Sequence, residues 1–457
     1  MYTSFIKTSI AFTACVLALC RPAAAQEGNR QLDDYISLAF AQNQGLKQQQ
    51  FDLEKAMFAL KEAKAMYLPT VSMLGSYTKA DGGRTIDVPV GDLVNPVYAA
   101  LNELTASNKF PQLPNQSFLL NPDNFYDVKL RTSLSLINAE IRYNKEIKQQ
   151  LISSQQAAVN VYKRTLVKDI KTAYYHYYQA LQGVEAYQSA LLLIAENIRV
   201  NASLLKNGVR NGTALLRAQT EQQKTNAALV NAQRNAGNAK AYFNFLLNRP
   251  LKDSINTIVM AAVIAEPDTL TGISGREELK QLQALKAANT LDYKLQRSAI
   301  IPKLSTFLDL GSQGMDFKVN DKTRYYLWGV NLQWDIFTGG KNKFRAAQAQ
   351  SGLKVTQARL DEAEQSLRLQ LVQTYNNYNS AKAACSSAVA GLTLATKYYK
   401  DQLKAYNAGQ LLYLELIDAQ DQLTNARLRM AETQADLQIT LAQLERDQAS
   451  YPIHNPH

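Results

Sequence analysis

The chain is written twice. Tyr174, Tyr177, Gly208, Leu215, Ala218 and Gln219 return 201 residues later as Tyr375, Tyr378, Gly409, Leu416, Ala419 and Gln420. Leu191 and Leu193 return at the same offset as Leu392 and Leu394. One constant spacing at eight positions marks two copies of one structural unit, and a repeat must be read before any motif. Each copy carries the same order of patterns: helix, Pro, amphipathic strand, second strand, very long helix, Gly, further helix. The first repeat runs over about 32–250, a linker over 251–276 and the second repeat over about 277–451. That order suits a tube of strands and helices better than an enzyme pocket.

Proline placement predicts the helices. No proline falls between Pro122 and Pro250, or between Pro302 and Pro452. A Pro inside a helix costs about 3 kcal/mol, so these stretches permit unbroken helices. Residues 139–207 hold only Gly183, and residues 341–408 only Gly352 and Gly391. Both are rich in Ala, Leu, Gln, Lys and Glu, all good helix formers. At about 1.5 Å per residue each would reach on the order of 100 Å, and a helix of that length needs a partner along it. The final segment carries the seam for one. Leu416, Leu423, Met430, Leu437 and Leu444 recur every seven residues, with Ala419, Ala426, Thr433 and Thr440 three residues after the first four. This is an a/d pattern of large knobs beside small residues. Leu215, Gln222, Leu229, Ala236 and Phe243 give a weaker version in the first repeat.

Strands are expected in two pairs. Val128, Leu130, Leu134 and Leu136 alternate with Lys129, Arg131, Ser133 and Ser135. Tyr326, Trp328, Val330, Leu332 and Trp334 alternate with Leu327, Gly329, Asn331, Gln333 and Asp335. Period two gives one apolar and one largely polar face. Their partners begin after Pro69 and Pro302, over 71–78 and 304–311. Each strand is near the 9–11 residues that a tilted membrane strand needs. Tyr326, Trp328 and Trp334 suit the two membrane–water interfaces, where barrels carry aromatic girdles. A soluble sandwich strand with a buried Trp is the competing reading. Residues 79–126 form a long Pro-rich surface loop with a short helix near 98–104. The linker's apolar run, 258–265, reads as a connecting element outside the bundle.

The N-terminus places the chain outside the cytoplasm. Lys7, an apolar stretch over 9–20 and Ala23-Ala24-Ala25 form a signal peptide over residues 1–25, too short to span a bilayer. Lipidation at Cys20 is disfavoured by Leu19, where a small residue belongs. Cleavage would remove Cys15 and Cys20, leaving Cys385 with no internal partner. It would also lower the formal charge from +11 to +9. Lys354, Arg359, Asp361, Glu362 and Arg368 show the basic residues interleaved with acids. That describes a solvated helix surface, not a nucleic-acid patch.

Four strands cannot close a barrel, and open edges in lipid leave backbone groups unsatisfied. Other copies of the chain must complete it. Two copies give eight strands, whose interior side chains fill. Three give twelve, which can leave a lumen. The expected class is therefore an internally duplicated α+β membrane protein, a homotrimer with a twelve-stranded barrel and a coiled-coil α-helical tunnel.

No chemistry competes with this reading. His176, His454 and His457 are the only histidines, and neither a Cys-rich metal site nor a phosphate-binding Gly loop is present. No cofactor and no enzyme activity are expected. Gly339-Gly340 lies between strand and helix, where Gly supplies a bend. His176, among four tyrosines, reads as a packing or surface residue.

These residues resemble the TolC-like outer-membrane efflux proteins, the exit ducts of bacterial efflux pumps and type I secretion systems. The resemblance covers about 32–447. It is carried by GVNLQWDIFTGGKNKFRAAQAQ at 329–350, which resembles the last barrel strand, its Gly-Gly bend and the basic start of the next helix. The Pro-led strand starts Tyr67-Leu68-Pro69 and Ile300-Ile301-Pro302, and NAGQLLYLELIDAQDQL at 407–423, add to it. It implies a passive duct in the outer membrane of a Gram-negative bacterium, with helices in the periplasm. A periplasmic adaptor and an inner-membrane pump would be the partners.

It also implies that acidic residues after the inner turn line a narrow entrance. The matching positions are Glu415 and Asp418, three apart and so on one helical face. Threefold symmetry would make them two carboxylate rings, which attract cations. Gly208 and Gly409 would be the turns about which the helices shift. Three departures accompany the resemblance: the first repeat has Ala214 and Arg217 where the second has the acids, Leu411 and Leu412 are apolar where a polar latch is expected, and Asn138-Ala139-Glu140 stands where the second repeat has Gly339-Gly340. The alternative is a periplasmic coiled-coil scaffold or adaptor without a membrane barrel. An exported lipid-modifying enzyme would need a catalytic cluster that the sequence lacks.

Overall fold

The structure, a computed structural model, describes residues 22–121, 123–208, 211–257 and 272–453, with side chains from Arg30 onward. The leader as far as residue 21, the run 258–265, His454 and His457 lie outside the described residues. The chain runs α1 (Pro22–Gln42), α2 (Gln44–Ala65), β1 (Thr70–Thr78), β2 (Thr85–Val88), α3 (Val90–Leu104), β3 (Gln116–Leu119) and β4 (Phe125–Ile137). It continues with α4 (Ala139–Lys206), α5 (Thr213–Leu246), α6 (Glu277–Arg297), β5 (Lys303–Met315), β6 (Arg324–Gln333), α7 (Lys341–Asn407) and α8 (Tyr413–Gln448). The long helices α4 and α7 have 68 and 67 residues. Among the described residues none is long and apolar enough to cross a membrane.

The described residues sort into two compact units, each drawing on both repeats. One comprises Phe58–Gln149 and Asn289–Ser351. Its centre is a sheet of order β1-β4-β5-β6, antiparallel throughout. The expectation of four strands needs correction: β2 and β3 form a second, two-stranded sheet within the loop. Their residues (Thr85-Ile86-Asp87-Val88 and Gln116-Ser117-Phe118-Leu119) are too short for periodicity to reveal. The loop helix is also longer than expected, starting at Val90 and tolerating Pro96.

The other unit comprises Met1–Met57, Gln150–Ala288 and Gly352–His457. The repeat offset runs through its core. Val159, Leu166, Ile170 and Phe243 are buried in the first repeat, and Leu360, Leu367, Leu371 and Leu444, each 201 positions on, are buried in the second. Each helix face hides an apolar stripe, and each fully buried Leu, Ile or Phe contributes roughly 1.5–3 kcal/mol. A third cluster joins the repeats: Ala218 packs with Tyr399, Tyr406, Tyr413, Leu416, Ala419 and Leu423. The seam of α8 is therefore its inner face, with Leu416, Leu423, Leu437 and Leu444 buried and Met430 half-buried.

A buried ionic knot closes this unit. Arg276 donates through Nη1 to the Asp447 carbonyl (3.0 Å) and to Asp447 Oδ1 (3.2 Å). It also donates through Nε and Nη2 to the two Glu278 oxygens, at 3.0 and 2.9 Å. Arg446 Nη2 donates to Glu278 Oε1 (2.9 Å), Thr374 Oγ1 to Asp447 Oδ2 (2.7 Å) and Gln443 Nε2 to Asp447 Oδ1 (3.0 Å). Burial pushes the Glu278 carboxyl up, but the Arg276 hydrogen bonds, a backbone N–H and the charges of Arg276 and Arg446 together hold the group below its ordinary range.

Candidate pore entrance and membrane face

In the sheet unit, register sorts residues into rows. Met73, Leu130, Leu310 and Tyr326 are successive partners across β1, β4, β5 and β6. All four are exposed, Met73 by 74% and Tyr326 by 78%. The next row on this face, Val71, Thr132, Leu308 and Trp328, also leaves Val71 and Trp328 exposed. The intervening row, on the opposite face, is Ser72, Arg131, Asp309 and Leu327. There Arg131 donates to both oxygens of Asp309, Nε at 2.7 Å and Nη2 at 2.6 Å. Lys129 donates to Asp127 at 2.8 Å, and the Tyr325 hydroxyl donates to the other Asp127 oxygen at 2.8 Å. One face thus presents uncovered apolar side chains and the other a charge-paired lattice. β1 and β6 each pair on one side only.

The aromatic residues are distributed along β6. Tyr326 and Trp328 lie within it, whereas Trp334 stands one residue past its end and is not part of the strand. Its indole N–H donates to the Ile300 carbonyl at 3.0 Å. Tyr326 and Trp334 are eight positions apart, roughly 27 Å along an extended chain. Gly339 and Gly340 follow, with φ of +60° and +83°, immediately before α7.

In the helical unit, α4 and α7 end alike. Gly208 and Gly409 adopt φ of +69° and +76°, and their N–H groups bond to the Leu205 and Tyr406 carbonyls at 3.0 Å. A left-handed residue just past a helix end is the usual place for Gly. A Cβ at either would meet nothing within 4 Å, so the requirement is conformational. After the second turn α8 begins without a side-chain cap, and Glu415 lies in its first turn, where a negative charge suits the helix dipole. Glu415 and Asp418 are both exposed, opposite the buried Tyr413, Leu416, Ala419 and Gln420. Gln422 Nε2 donates to Asp418 at 2.7 Å. Burial first, and then the Glu221 carboxylate, push the neighbouring Asp421 carboxyl above its ordinary range, against the opposing pull of Lys224. His176 is exposed, as a surface residue should be.

The sequence missed what ties these helices together. The Tyr406 hydroxyl of α7 donates to Asn201 Oδ1 of α4 at 2.5 Å. Asn201 Nδ2 donates to the Asn197 carbonyl at 2.8 Å, and Asn197 Nδ2 to Gln420 Oε1 of α8 at 2.9 Å. All four residues are buried. The repeat concealed this clasp, because Gln219, the counterpart of Gln420, is exposed. The unusual cue was Asn at 197 and 201, one helical turn apart on the face that carries Ile194.

A family model described as outer membrane efflux protein matches residues 273–446, which is the second repeat. No curated protein matches the chain in sequence. Solved structures match over nearly its whole length. The Campylobacter jejuni CmeC outer membrane channel superposes with a TM-score of 0.74 at 15% identity, covering 92% of this chain and 85% of its own. The outer membrane protein VceC of Vibrio cholerae gives 0.73 at 14% identity, covering 93% and 97%. The open state of the Neisseria gonorrhoeae MtrE outer membrane channel gives 0.70 at 16% identity, covering 92% and 88%. The fold is that of the TolC-like outer-membrane channels.

Proposed function

We propose that this chain, whose second repeat belongs to the outer membrane efflux protein family, is the passive outer-membrane export duct of a tripartite efflux or type I secretion system. The observation that carries the reading is the four-stranded sheet. It has a bare apolar face, a charge-paired face and an unpartnered strand at each edge. Each unsatisfied backbone group in lipid costs several kcal/mol, so β1 of one copy and β6 of the next must pair. Three copies close twelve strands around a lumen. Tyr326 and Trp334 then sit at the two interfaces, with the Gly339–Gly340 bend turning the wall into the helical tunnel in the periplasm. A periplasmic adaptor and an inner-membrane pump supply the energy. The scaffold alternative leaves the apolar face of the sheet without a purpose.

In the trimer, Glu415 and Asp418 form two rings of three carboxylates at the entrance, and the duct selects for cations there. The helices move about Gly208 and Gly409. Opening must part α7 and α8 from α4, and so break the buried Tyr406–Asn201 and Asn197–Gln420 bonds. A partner that binds the open arrangement more tightly shifts the population.

Two measurements test this. Single-channel recording in planar bilayers should show cation preference in the native protein and its loss in the Glu415→Ala, Asp418→Ala double variant. An unchanged preference removes the acidic rings. Carbonate washing of membranes should leave the protein in the pellet, whereas a scaffold or adaptor would be released.

A further inference from the structure

The loop between β1 and β4 spans 79–124, whereas β5 and β6 are joined by 316–323 alone. It is an ordered insert. β2 and β3 pair from Thr85↔Leu119 to Val88↔Gln116. The Leu120 N–H donates to the Arg84 carbonyl (2.9 Å), Asn121 Nδ2 to the Gly82 carbonyl (3.1 Å) and the Ala80 N–H to Asp123 Oδ1 (3.2 Å). These bonds carry the β1–β4 ladder beyond the sheet as a two-stranded stalk, and α3 sits at its head.

α3 is oriented against the usual rule. Asn95 and Asn102, seven residues apart and on one face, clamp the returning chain. Asn95 Nδ2 donates to the Leu113 carbonyl (2.9 Å) and Asn95 Oδ1 accepts from the Leu113 N–H (2.7 Å). Asn102 does the same with Phe110, at 2.7 and 3.1 Å. Leu93, Val97, Ala100 and Leu104 follow the i, i+4, i+7, i+11 spacing of a core stripe. All four are exposed, Leu104 by 82%.

We propose that this stripe is an interface between copies of the chain: α3 packs on its counterparts in neighbouring copies and the inserts together cap the outer mouth of the duct. This rests on the trimeric barrel. Position selects the occupant, because the stalk prolongs β1, the edge strand that has β4 on one side and no strand on the other. The insert therefore stands beside the seam where the next copy joins. Charge excludes the other apolar partner, the lipid surface. A helix lying on a membrane carries Lys and Arg on its polar face. α3 carries only Asp92 and Glu103, and the insert has five acidic residues against three basic ones.

The test uses Val97→Cys, Leu104→Cys and Ala99→Cys, each with Cys385→Ala, in the purified full-length protein. Ala99 is exposed but lies on the far side of α3 from Val97. Oxidation with copper phenanthroline should link protomers through 97 or 104 and leave 99 at background. Light scattering reads the oligomeric mass independently. A trimer whose positions 97 and 104 stay unlinked, and react with a water-soluble maleimide as fast as 99, overturns the cap but leaves the duct standing. Quenching of a fluorophore at 97 by brominated lipid overturns the cap in favour of membrane docking. A monomeric mass overturns both.

Discussion

Arg276 and Asp447 are joined across 171 residues by two hydrogen bonds from one nitrogen, with 1% and 0% of their side chains exposed. The position where the second repeat begins is thereby fastened to the end of the last helix. Replacing Arg276 with Ala leaves a buried carboxylate short of its partner, and breaking a buried pair costs about 3–5 kcal/mol. Chemical unfolding of the detergent-purified protein should show a loss of that order. A loss no larger than that of the exposed Arg199→Ala would refute the role assigned to the knot.

Tyr406→Phe removes one hydroxyl and leaves Asn201 Oδ1 buried without its donor. That penalty is about 1–3 kcal/mol. Faster hydrogen exchange is expected in the turn regions of α4, α7 and α8, with a higher open probability in planar bilayers. The remote control Tyr451→Phe should leave the open probability unchanged, although it too loses a hydrogen bond, to Asp33.

Gly409 tests backbone conformation separately from packing, since a Cβ there meets nothing. The left-handed conformation costs an ordinary residue about 1–2 kcal/mol. Asn tolerates it better than Ala. Stability should therefore fall in the order Gly, Asn, Ala. A reversed order of the two variants in thermal melting would show that something other than φ governs the turn.

Asp421 gives the helical tip a pH dependence. Its folded carboxyl titrates above the ordinary value of 3.8, first through burial and then through Glu221. The folded state then holds the proton more tightly than the unfolded chain. This contribution to stability is complete below the ordinary carboxylate range and is lost as pH rises through the raised folded value. Asp421→Asn should melt higher than the native protein at neutral pH and should flatten the melting-temperature profile on the acid side. An identical profile in both proteins would exclude the effect.

The long helices and the strands of the four-stranded sheet were legible because they depend on patterns repeated over many residues. Pro-free, Ala- and Leu-rich runs predict α4 and α7 nearly to their ends, and period-two alternation predicts β4 and β6. The short β2–β3 pair was not legible, because four residues hold too little periodicity. Trp334 continued the alternation of β6 although pairing stops at Gln333, since side-chain pattern does not report hydrogen bonding. The buried polar groups were the hardest. Arg276, Asn197 and Gln420 look like ordinary surface residues in sequence, and each is buried against a partner more than 170 positions away. At Gln219 and Gln420 the duplication misleads, because identical residues in the two repeats meet different neighbours.

The two unshared margins of the sheet bear on biogenesis. In the duct proposed above, a newly exported copy would have no settled home by itself, since water disfavours its bare flank and lipid its dangling amides. On that proposal, membrane insertion and assembly would be one event rather than two. Its rate should depend steeply on protomer concentration, and any surplus of unassembled chains becomes material for periplasmic proteases.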